Sequence, residues 1–324
     1  MSKDIYVLIE HLREQVADIS YIMLAAARGI AAGTGGTVVG ILIGHNVQGL
    51  ADGIGADRVL YIDDLALADF TSDGYQRVVE NLLAQKRPRA FLFGDTSMGG
   101  DVAGWLSAHL SLPLVSHCRD LQADGETIKF VSQVYGGKIL VEGALPSPTA
   151  IVMMVPGGYK AEQGKSAQTP EMVRLPAPAL DGLRISVKNY IEPAAGDVDI
   201  SKEGVLVSVG RGIQNQDNME MARDLAKALG GEVAGSRPVI DQGWLPSTRL
   251  VGKSGKSVKP SVYLALGISG APEHVEAIGD SEMIIAINTD PQAPIFDIAK
   301  YGSQVDLLDL LPVLTEKVTE AKGG

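Results

Sequence analysis

Short continuous runs of apolar residues alternate with segments of helical periodicity along most of the chain. The runs are too short for helices and lack polar alternation, so they predict strands that are buried on both faces. Strands of this kind separated by helices indicate right-handed βαβ units and a mostly parallel sheet. In the first half, strands are predicted at 5–9, 37–43, 59–62, 90–93, 129–134, 138–141 and 150–155, and helices at 18–32, 73–85 and 101–110.

The second half repeats the alternation after a break. Residues 171–204 have weak periodicity and contain Pro176, Pro178, Pro193 and Gly196-Asp197, so they are interpreted as a segment that crosses between domains. With 324 residues, the chain is about twice the length of a typical domain. We therefore predict two α/β domains, 1–190 and 191–324, each a mostly parallel sheet flanked by helices. In the second, strands are predicted at 205–209, 232–235, 262–268 and 283–287, and helices at 217–229 and 307–320.

Charge and cysteine content exclude several classes of function. The net charge is −11, which would repel nucleic acid and anionic membrane surfaces. Cys118 is the only cysteine, so we interpret it as a buried apolar thiol rather than part of a disulfide or metal site. The chain opens on Met1-Ser2-Lys3-Asp4 without a signal-like segment, and no apolar stretch is long enough to span a bilayer. A cytoplasmic protein without an integral membrane segment is expected.

Small and polar residues follow three apolar strands of the second half. These turns are Val209-Gly210-Arg211-Gly212, Gly267-Ile268-Ser269-Gly270-Ala271 and Ile287-Asn288-Thr289-Asp290-Pro291. The carboxyl ends of parallel strands are where open α/β sheets bind ligands. Small residues let a phosphate approach the main chain, and Pro272 suits the first turn of a following helix. The turns predict a ligand-binding crevice.

The remaining candidate motifs indicate binding rather than bond-making catalysis. Gly252-Lys253-Ser254 resembles part of a phosphate-binding loop, but it lacks the earlier glycine and leads into a strand rather than a helix. His274, just inside the helix after Gly270, is interpreted from its sequence context as a surface or capping histidine. No nucleophile, base and acid stand in a recognisable order, and no catalytic residue is assigned. We expect a cofactor-binding chain.

These loops, in this order, resemble the alpha subunit of electron-transferring flavoproteins, with features of the Fix-type branch. The resemblance covers about residues 204–320, and in the first half it is looser, through Gly94 to Asp101 and Tyr135-Gly136-Gly137. The segments that carry it in the second half are Ser208-Val209-Gly210-Arg211-Gly212-Ile213, Ser236-Arg237-Pro238-Val239, Val251-Gly252-Lys253-Ser254-Gly255, 263–271, His274 and 286–296.

The resemblance implies an extended FAD in a nucleotide-type fold. Arg237 would lie over the flavin or pyrophosphate, Ser254 near flavin N5, and His274 would donate to the C2 carbonyl. Donors and cations there stabilise the negative charge of the reduced ring. The remaining implied site residues are Ser236, Ser269, Gly270 and Ala271 at the phosphates, Asn288, Asp306 and Leu307 at the adenosine, Arg211 facing flavin and partner, and Lys253, Gly255 and Gly267 within the motifs.

Several positions depart from the family pattern. Lys253 and Glu273 stand where glutamine is frequent, Thr289 where lysine is frequent, and Gly100 where many relatives have arginine. These departures bear on the redox potential and on the partner contacts. Lys253 adds positive charge beside the expected flavin, so we hypothesise that it favours the reduced ring.

The function implied is that of an electron carrier. The chain would pair with a beta subunit through its first domain, take electrons from acyl-CoA or related dehydrogenases, and pass them to a quinone reductase or a ferredoxin-linked acceptor. Whether such a complex splits electrons between two acceptors stays open, as does fatty-acid β-oxidation as its setting. The alternative is an NAD-dependent dehydrogenase subunit that uses the same loops, although no Gly-x-Gly-x-x-Gly opens the first helix of the second domain.

Overall fold

The computed structural model describes residues 2–135, 137–190 and 198–323. By its internal contacts the chain divides into two compact units, residues 1–190 and 191–324. Both units are α/β, which confirms the predicted fold class. Gly136, Pro193 and Gly196-Asp197, which the sequence analysis singled out, lie outside the described residues.

The first unit is built on a nine-stranded sheet with the order β11-β5-β4-β1-β6-β10-β7-β8-β9. Its strands are parallel from β11 to β7, and β8 and β9 extend the sheet as an antiparallel hairpin. A separate short ribbon pairs β2 with β3. In chain order the strands are β1 (Ile5–Leu8), β2 (His11–Leu12), β3 (Gln15–Val16), β4 (Val38–Gly44), β5 (Arg58–Asp63), β6 (Ala90–Gly94), β7 (Leu114–Asp124), β8 (Thr127–Val134), β9 (Ile139–Ala144), β10 (Ala150–Met154) and β11 (Glu171–Leu175).

Helices cover both faces of this sheet, which explains why β4 is buried along its whole length. The helices are α1 (Asp18–Thr34), α2 (Ser72–Gln85) and α3 (Ser97–Leu110). Met23 and Leu24 of α1 pack into one core layer, and Val79 and Leu106 of the other helices pack into the opposite layer. Cys118 is fully buried, as predicted, and burial raises the pKa of its thiol to about 12.

Four strands of the first unit were not predicted, namely the two-residue strands β2 and β3 together with β7 and β11. Residues 171–175, taken as the start of a crossing segment, instead form the edge strand β11, because the backbone of β5 pairs with it in parallel, with Val173 opposite Leu60. Strand β7 was not predicted, since polar residues follow Leu114-Val115 directly. It forms because β10 and β8 pair with it on its two sides.

The second unit has a five-stranded, fully parallel sheet with the order β13-β12-β14-β15-β16. Its strands are β12 (Val205–Val209), β13 (Glu232–Gly235), β14 (Val262–Leu266), β15 (Ile284–Ile287) and β16 (Tyr301–Ser303), and its helices are α4 (Met219–Leu229), α5 (Arg237–Asp241), α6 (Pro272–Ile278) and α7 (Leu307–Gly323). If the strands are numbered within the unit, this order is 2-1-3-4-5. The first connection adds a strand on one side of β12, and all later strands are added on the other side, so the strand order reverses between β12 and β14. Connections leave these two strands on opposite faces, which opens a crevice at their carboxyl ends.

Helices α4 and α7 of the second unit begin and end within a few residues of their predicted bounds. Helix α4 buries Met219, Ala222 and Leu225 and ends at Gly230, which adopts the left-handed conformation with φ 71°. Helix α6 starts at Pro272. The short elements α5 and β16 were not predicted, because three to five residues show no periodicity. Within the described ranges, no helix is both long and apolar enough to cross a bilayer.

Candidate functional site

Glycines bring two loops into backbone contact above the reversal point of the second sheet. The Gly212 amide donates to the Gly267 carbonyl oxygen over 3.1 Å. Gly267 has φ +63°, and a Cβ atom there would lie 2.6 Å from the Gly212 Cα. Any larger side chain would force the loops apart, so these glycines set the floor of the crevice.

A third loop, which follows β15, is fixed against the second. The Ile295 amide donates to the Ser269 carbonyl oxygen over 3.0 Å. Gly270 has φ +88°, and a Cβ atom there would lie 2.4 Å from the Ile295 nitrogen. The side chain of Asn288 donates to the Ile268 carbonyl oxygen over 2.9 Å and accepts from the Asp290 amide. The three predicted strand-end turns therefore form one rigid assembly.

Two adjoining cavities lie over these loops and share Gly212, Gly267 and Asn288 as walls. The larger encloses about 420 Å³ and the smaller about 210 Å³. The larger is lined by Arg211, Gly212, Ser236, Arg237, Pro238, Leu250, Val251, Gly252, Lys253, Ser254, Gly267, Ile268, Ser269, Gly270, Ala271, Glu273, His274, Asn288 and Asp290. The smaller is lined by Gly212, Gln214, Gly267, Ile287, Asn288, Thr289, Val305, Asp306 and Leu307.

An arginine and a serine join two sides of the larger cavity. Arg237 Nη1 donates to Ser254 Oγ over 3.1 Å, and Arg237 Nε donates to Asp241 Oδ1 over 2.8 Å. Arg237 opens α5, so Asp241 lies one helical turn along on the same face. These two bonds orient the guanidinium toward the loop at 251–260.

That loop is held at further points. The Lys253 amide donates to the Glu273 carbonyl oxygen over 2.9 Å, which ties the loop to α6. Lys256 Nζ lies 2.5 Å from Asp199 Oδ1. The hydrogen bond from Lys256 is the main cause that lowers the pKa of Asp199 to about 2. These contacts tie the loop to α6 and to Asp199.

His274 is buried, so its interpretation as a surface or capping histidine is wrong. Only 6% of its surface is exposed. Its Nε2 lies 2.9 Å from the Tyr263 hydroxyl, and its Nδ1 lies 3.1 Å from the Val251 carbonyl oxygen. Burial lowers the pKa of His274 to about 4, against a smaller opposing effect of the Val251 hydrogen bond. The imidazole is therefore neutral at pH 7.

The smaller cavity ends at the first turn of α7. Asp306 Oδ1 accepts a 2.9 Å hydrogen bond from the Leu308 amide, so this carboxylate caps the helix. Leu307 is buried in the core beside the cavity. Gln214 lines the same cavity with φ +73°, a conformation that is rare for a residue with a side chain.

The predicted site residues converge on this pair of cavities, except for one. Gly255 does not line either cavity; its amide donates to the Gly252 carbonyl oxygen, and a Cβ atom there would lie 2.4 Å from the Leu250 carbonyl oxygen. Its place is structural, within the 251–260 loop. The contacts of the other predicted residues with a ligand stay predictions.

Several lining residues were missed from the site prediction. Gln214, Val305 and Pro238 belong to this group. Pro238 belongs to one of the quoted motifs and Gln214 directly follows another, so an available sequence signal pointed to both. Val305 has no local signal, because only the pairing of β16 beside β15 brings it to the cavity.

The lining suits an elongated ligand with phosphates and a ring system. Serine hydroxyls, arginines and a lysine supply donors, and Pro238, Val251 and Ile268 supply apolar surface. Specific cofactor sites combine such an apolar lining with a few placed polar groups. The glycine floor leaves space that a Cβ atom would fill. The chemistry of these residues fits FAD.

Comparisons with known proteins agree over nearly the whole chain. The family described as "Electron transfer flavoprotein domain" matches residues 5–180, and the one described as "Electron transfer flavoprotein FAD-binding domain" matches residues 199–279. The chain is 33% identical to "Electron transfer flavoprotein subunit alpha" of Bacillus subtilis (strain 168), covering 98% of each chain. It is 34% identical to "Protein FixB" of Clostridium saccharobutylicum, covering 98% of this chain and 97% of the relative. It is 33% identical to "Acryloyl-CoA reductase electron transfer subunit beta" of Anaerotignum propionicum, covering 99% and 97%. The chain therefore belongs to the electron transfer flavoprotein alpha-subunit family, and its second unit is an FAD-binding domain.

Proposed function

We propose that this chain is the FAD-binding subunit of a cytoplasmic, heterodimeric electron carrier that takes electrons from acyl-CoA or related dehydrogenases and passes them to a quinone reductase or a ferredoxin-linked acceptor. The observation that carries the proposal is the pair of adjoining cavities at the carboxyl ends of β12, β14 and β15. An elongated crevice at the reversal point of a parallel sheet suits a dinucleotide.

The two cavities would bind different parts of the cofactor. The larger cavity would take the flavin and pyrophosphate, with Ser236, Ser269 and the 270–271 main chain at the phosphates. The smaller cavity would take the adenosine, between Asn288, Asp306 and Leu307. FAD supplies the reversible electron storage, and the chain supplies orientation and electrostatics.

Arg237 and its neighbours would favour the reduced cofactor. Arg211, Arg237 and Lys253 all line the larger cavity, where Glu273 and Asp290 oppose them only in part. Positive charge near a group that gains electrons stabilises its reduced form, and the effect is stronger in a cleft than in open water. The Ser254 hydroxyl, which accepts from Arg237, would stand ready to donate its own hydrogen to the flavin.

An exposed apolar strip on the first unit supports a contact with a beta subunit. Large hydrophobic side chains are solvent-exposed on the β8–β9 hairpin: Val134, Tyr135, Ile139, Leu140 and Val141. Apolar patches of this kind mark protein–protein contacts. Strand β9 is also the last strand of its sheet, so its outer edge presents backbone groups to a partner.

The relatives point to the class of electron donor. One is named as an electron transfer subunit of an acryloyl-CoA reductase and another as FixB. A carrier of acyl-CoA-derived electrons follows from the first name by analogy. A role in fatty-acid β-oxidation or in splitting electrons between two acceptors would be a specialisation of the same carrier.

Co-expression with a beta subunit of the family tests the proposal. The purified complex should be yellow, release FAD on denaturation, and be reduced by an acyl-CoA dehydrogenase with its substrate. One FAD per heterodimer would indicate a simple carrier, and two would indicate a complex able to split electrons. A colourless complex, or one that binds only NAD, would contradict the proposal and support a dehydrogenase subunit.

A further inference from the structure

The guanidinium of Arg237 is held at two of its edges. Nη1 donates to Ser254 Oγ over 3.1 Å, and Nε donates to Asp241 Oδ1 over 2.8 Å. Arg237 and Ser254 both line the larger cavity, whereas Asp241 does not. A planar group with one anchor can still turn about that bond, but two anchors fix its plane and its direction. Asp241 therefore provides the second anchor from outside the cavity.

Helix α5, which carries Asp241, is itself held by packing and by a backbone hydrogen bond. Val239 is fully buried in the core of the second unit, and Pro238 lines the larger cavity. The Trp244 amide donates to the Val239 carbonyl oxygen over 3.2 Å, which closes the turn after the helix. Residues four apart share a helical face, so the helix presents Asp241 on the side of Arg237.

The stability of α5 does not account for this pair. An arginine at the start of a helix and an aspartate at its end each lie at the helix terminus that disfavours their charge. Pairs with the acidic residue first are the more stabilising ones, and here the order is reversed. The side chains are 62% exposed for Arg237 and 58% exposed for Asp241, and such pairs contribute little to folding. Helix stability is therefore not the reason for this arrangement.

We propose that Asp241 is a positioning residue of the cofactor site, which holds Arg237 so that its guanidinium meets the ligand in one orientation. This inference rests on the proposed function, in which Arg237 contacts the flavin or the pyrophosphate. A side chain that the protein already orients loses less conformational entropy when it binds a ligand. Loss of the Asp241 anchor should therefore weaken FAD binding by about two- to tenfold, the equivalent of ordering one flexible side chain.

Two substitutions separate the hydrogen bond from the charge. Asp241→Asn and Asp241→Ala remove the same negative charge, but asparagine keeps an oxygen that can accept from Arg237 Nε. The complex with a beta subunit is freed of FAD and then titrated with it. The dissociation constant of Asp241→Ala should be about two- to tenfold higher than that of Asp241→Asn. Glu220→Ala is the control and should leave the constant unchanged, because it removes an exposed carboxylate that pairs with Arg223 in the same unit.

A second comparison tests whether Asp241 acts through Arg237. Lysine keeps the charge of arginine but lacks its planar fork, so it cannot be held at two edges. In an Arg237→Lys background the difference between Asp241→Asn and Asp241→Ala should therefore disappear. A difference that persists there would show that Asp241 affects FAD by another route and would overturn the proposal.

A third measurement uses the ligand-free chain and does not depend on FAD. NMR of the arginine Nε–H groups should show slower hydrogen exchange at Arg237 than at Arg223, whose pair with Glu220 runs through Nη1. In Asp241→Ala the exchange at Arg237 should accelerate to the rate of Arg223, and in Asp241→Asn it should lie between the two. Equal exchange at both arginines in the unsubstituted chain would contradict the contact on which the proposal depends.

The outcomes distinguish this inference from the proposed function. An unsubstituted complex that binds no FAD would overturn the proposed function, and the inference with it. Normal FAD binding by that complex, with equal dissociation constants for Asp241→Asn and Asp241→Ala, would overturn the inference alone. Because the ion pair is largely exposed, the variants should fold like the unsubstituted chain, and far-ultraviolet circular dichroism checks this.

Discussion

Arg237 and Ser254, seventeen residues apart in sequence, are joined across the larger cavity by a 3.1 Å hydrogen bond from Nη1 to Oγ. The bond connects the first turn of α5 with the loop that precedes β14. Asp241 holds the other side of the guanidinium. These two hydrogen bonds orient the guanidinium, and a side chain that the protein already orients loses less conformational entropy when it binds a ligand.

Replacing Arg237 tests this arrangement. Arg237→Lys keeps the charge but loses the planar fork, and Arg237→Ala loses both. Loss of a charged hydrogen-bond donor costs about 1.5–3 kcal/mol, so Arg237→Ala should retain FAD at least about tenfold less tightly, with Arg237→Lys between it and the unsubstituted protein. Titration with FAD followed by flavin fluorescence measures this.

The control for Arg237 is Arg223→Ala. Arg223 belongs to the same unit and forms an exposed ion pair with Glu220 on α4. Its removal should not alter the FAD affinity. Equal losses in both variants would mean that Arg237 acts only through the overall charge of the unit.

The pKa of His274 predicts a loss of stability in mild acid. Its pKa is lowered to about 4 in the folded chain, below about 6.5 in the unfolded chain. The unfolded state therefore binds more protons between these values, and the free energy of unfolding falls as the pH falls through this window. Between pH 7 and pH 5 the loss should be about 2 kcal/mol.

Urea unfolding at the two pH values measures the effect. His274→Gln should lack this part of the pH dependence, because glutamine does not titrate. His109→Gln serves as control, since His109 is exposed and pairs with Glu80. The same pH dependence in His274→Gln would show that another group causes it.

Gly270 should not tolerate a side chain. With φ +88° and only 2.4 Å from its Cβ position to the Ile295 nitrogen, Gly270→Ala must strain the backbone and separate two loops. We expect a loss of about 1–3 kcal/mol in stability together with a lower FAD content. Gly279→Ala is the matched control in the same unit, because Gly279 has φ −59° and its nearest contact is at 3.6 Å. Thermal unfolding of both variants compares them, and equal transition temperatures would count against the strain.

The Lys256–Asp199 pair should hold the 251–260 loop. Lys256→Met removes the shorter contact, so the pKa of Asp199 should rise from about 2 toward its ordinary value. The stabilisation from this carboxylate is present above its unfolded pKa and is lost as the pH falls through about 2, so it acts fully at neutral pH.

Hydrogen exchange of the Lys256 amide, which donates to the Leu250 carbonyl oxygen, should accelerate in Lys256→Met. Lys202→Met is the control, since Lys202 reaches the same carboxylate at 3.8 Å and is largely exposed. Similar exchange in both variants would show that the loop is held by its other contacts.

The apolar strip on the β8–β9 hairpin should mediate association with the beta subunit. Leu140→Asp places a charge on the exposed hairpin and should weaken co-purification at least about tenfold, because a charge buried without a partner is costly. Leu65→Asp is the control, as Leu65 is 72% exposed elsewhere on the same unit. Undiminished association of Leu140→Asp would place the contact on another surface.

The sequence alone determined the fold class, most strands and helices, and the set of loops that carry the site. It could do so because burial of a parallel strand requires a continuous apolar run, and because positive φ at positions such as Gly267 and Gly270 requires glycine. These requirements are local, so they are visible without any knowledge of the rest of the chain.

Only the tertiary structure decided the pairing of β11 with β5, the burial of His274 and the position of Val305 beside the smaller cavity. A segment with little apolar pattern, such as β11, forms a strand when the neighbouring strand has an unpaired backbone edge. A histidine is buried when a distant tyrosine and carbonyl satisfy both ring nitrogens. Such effects depend on partners far apart in sequence, and local pattern does not record them.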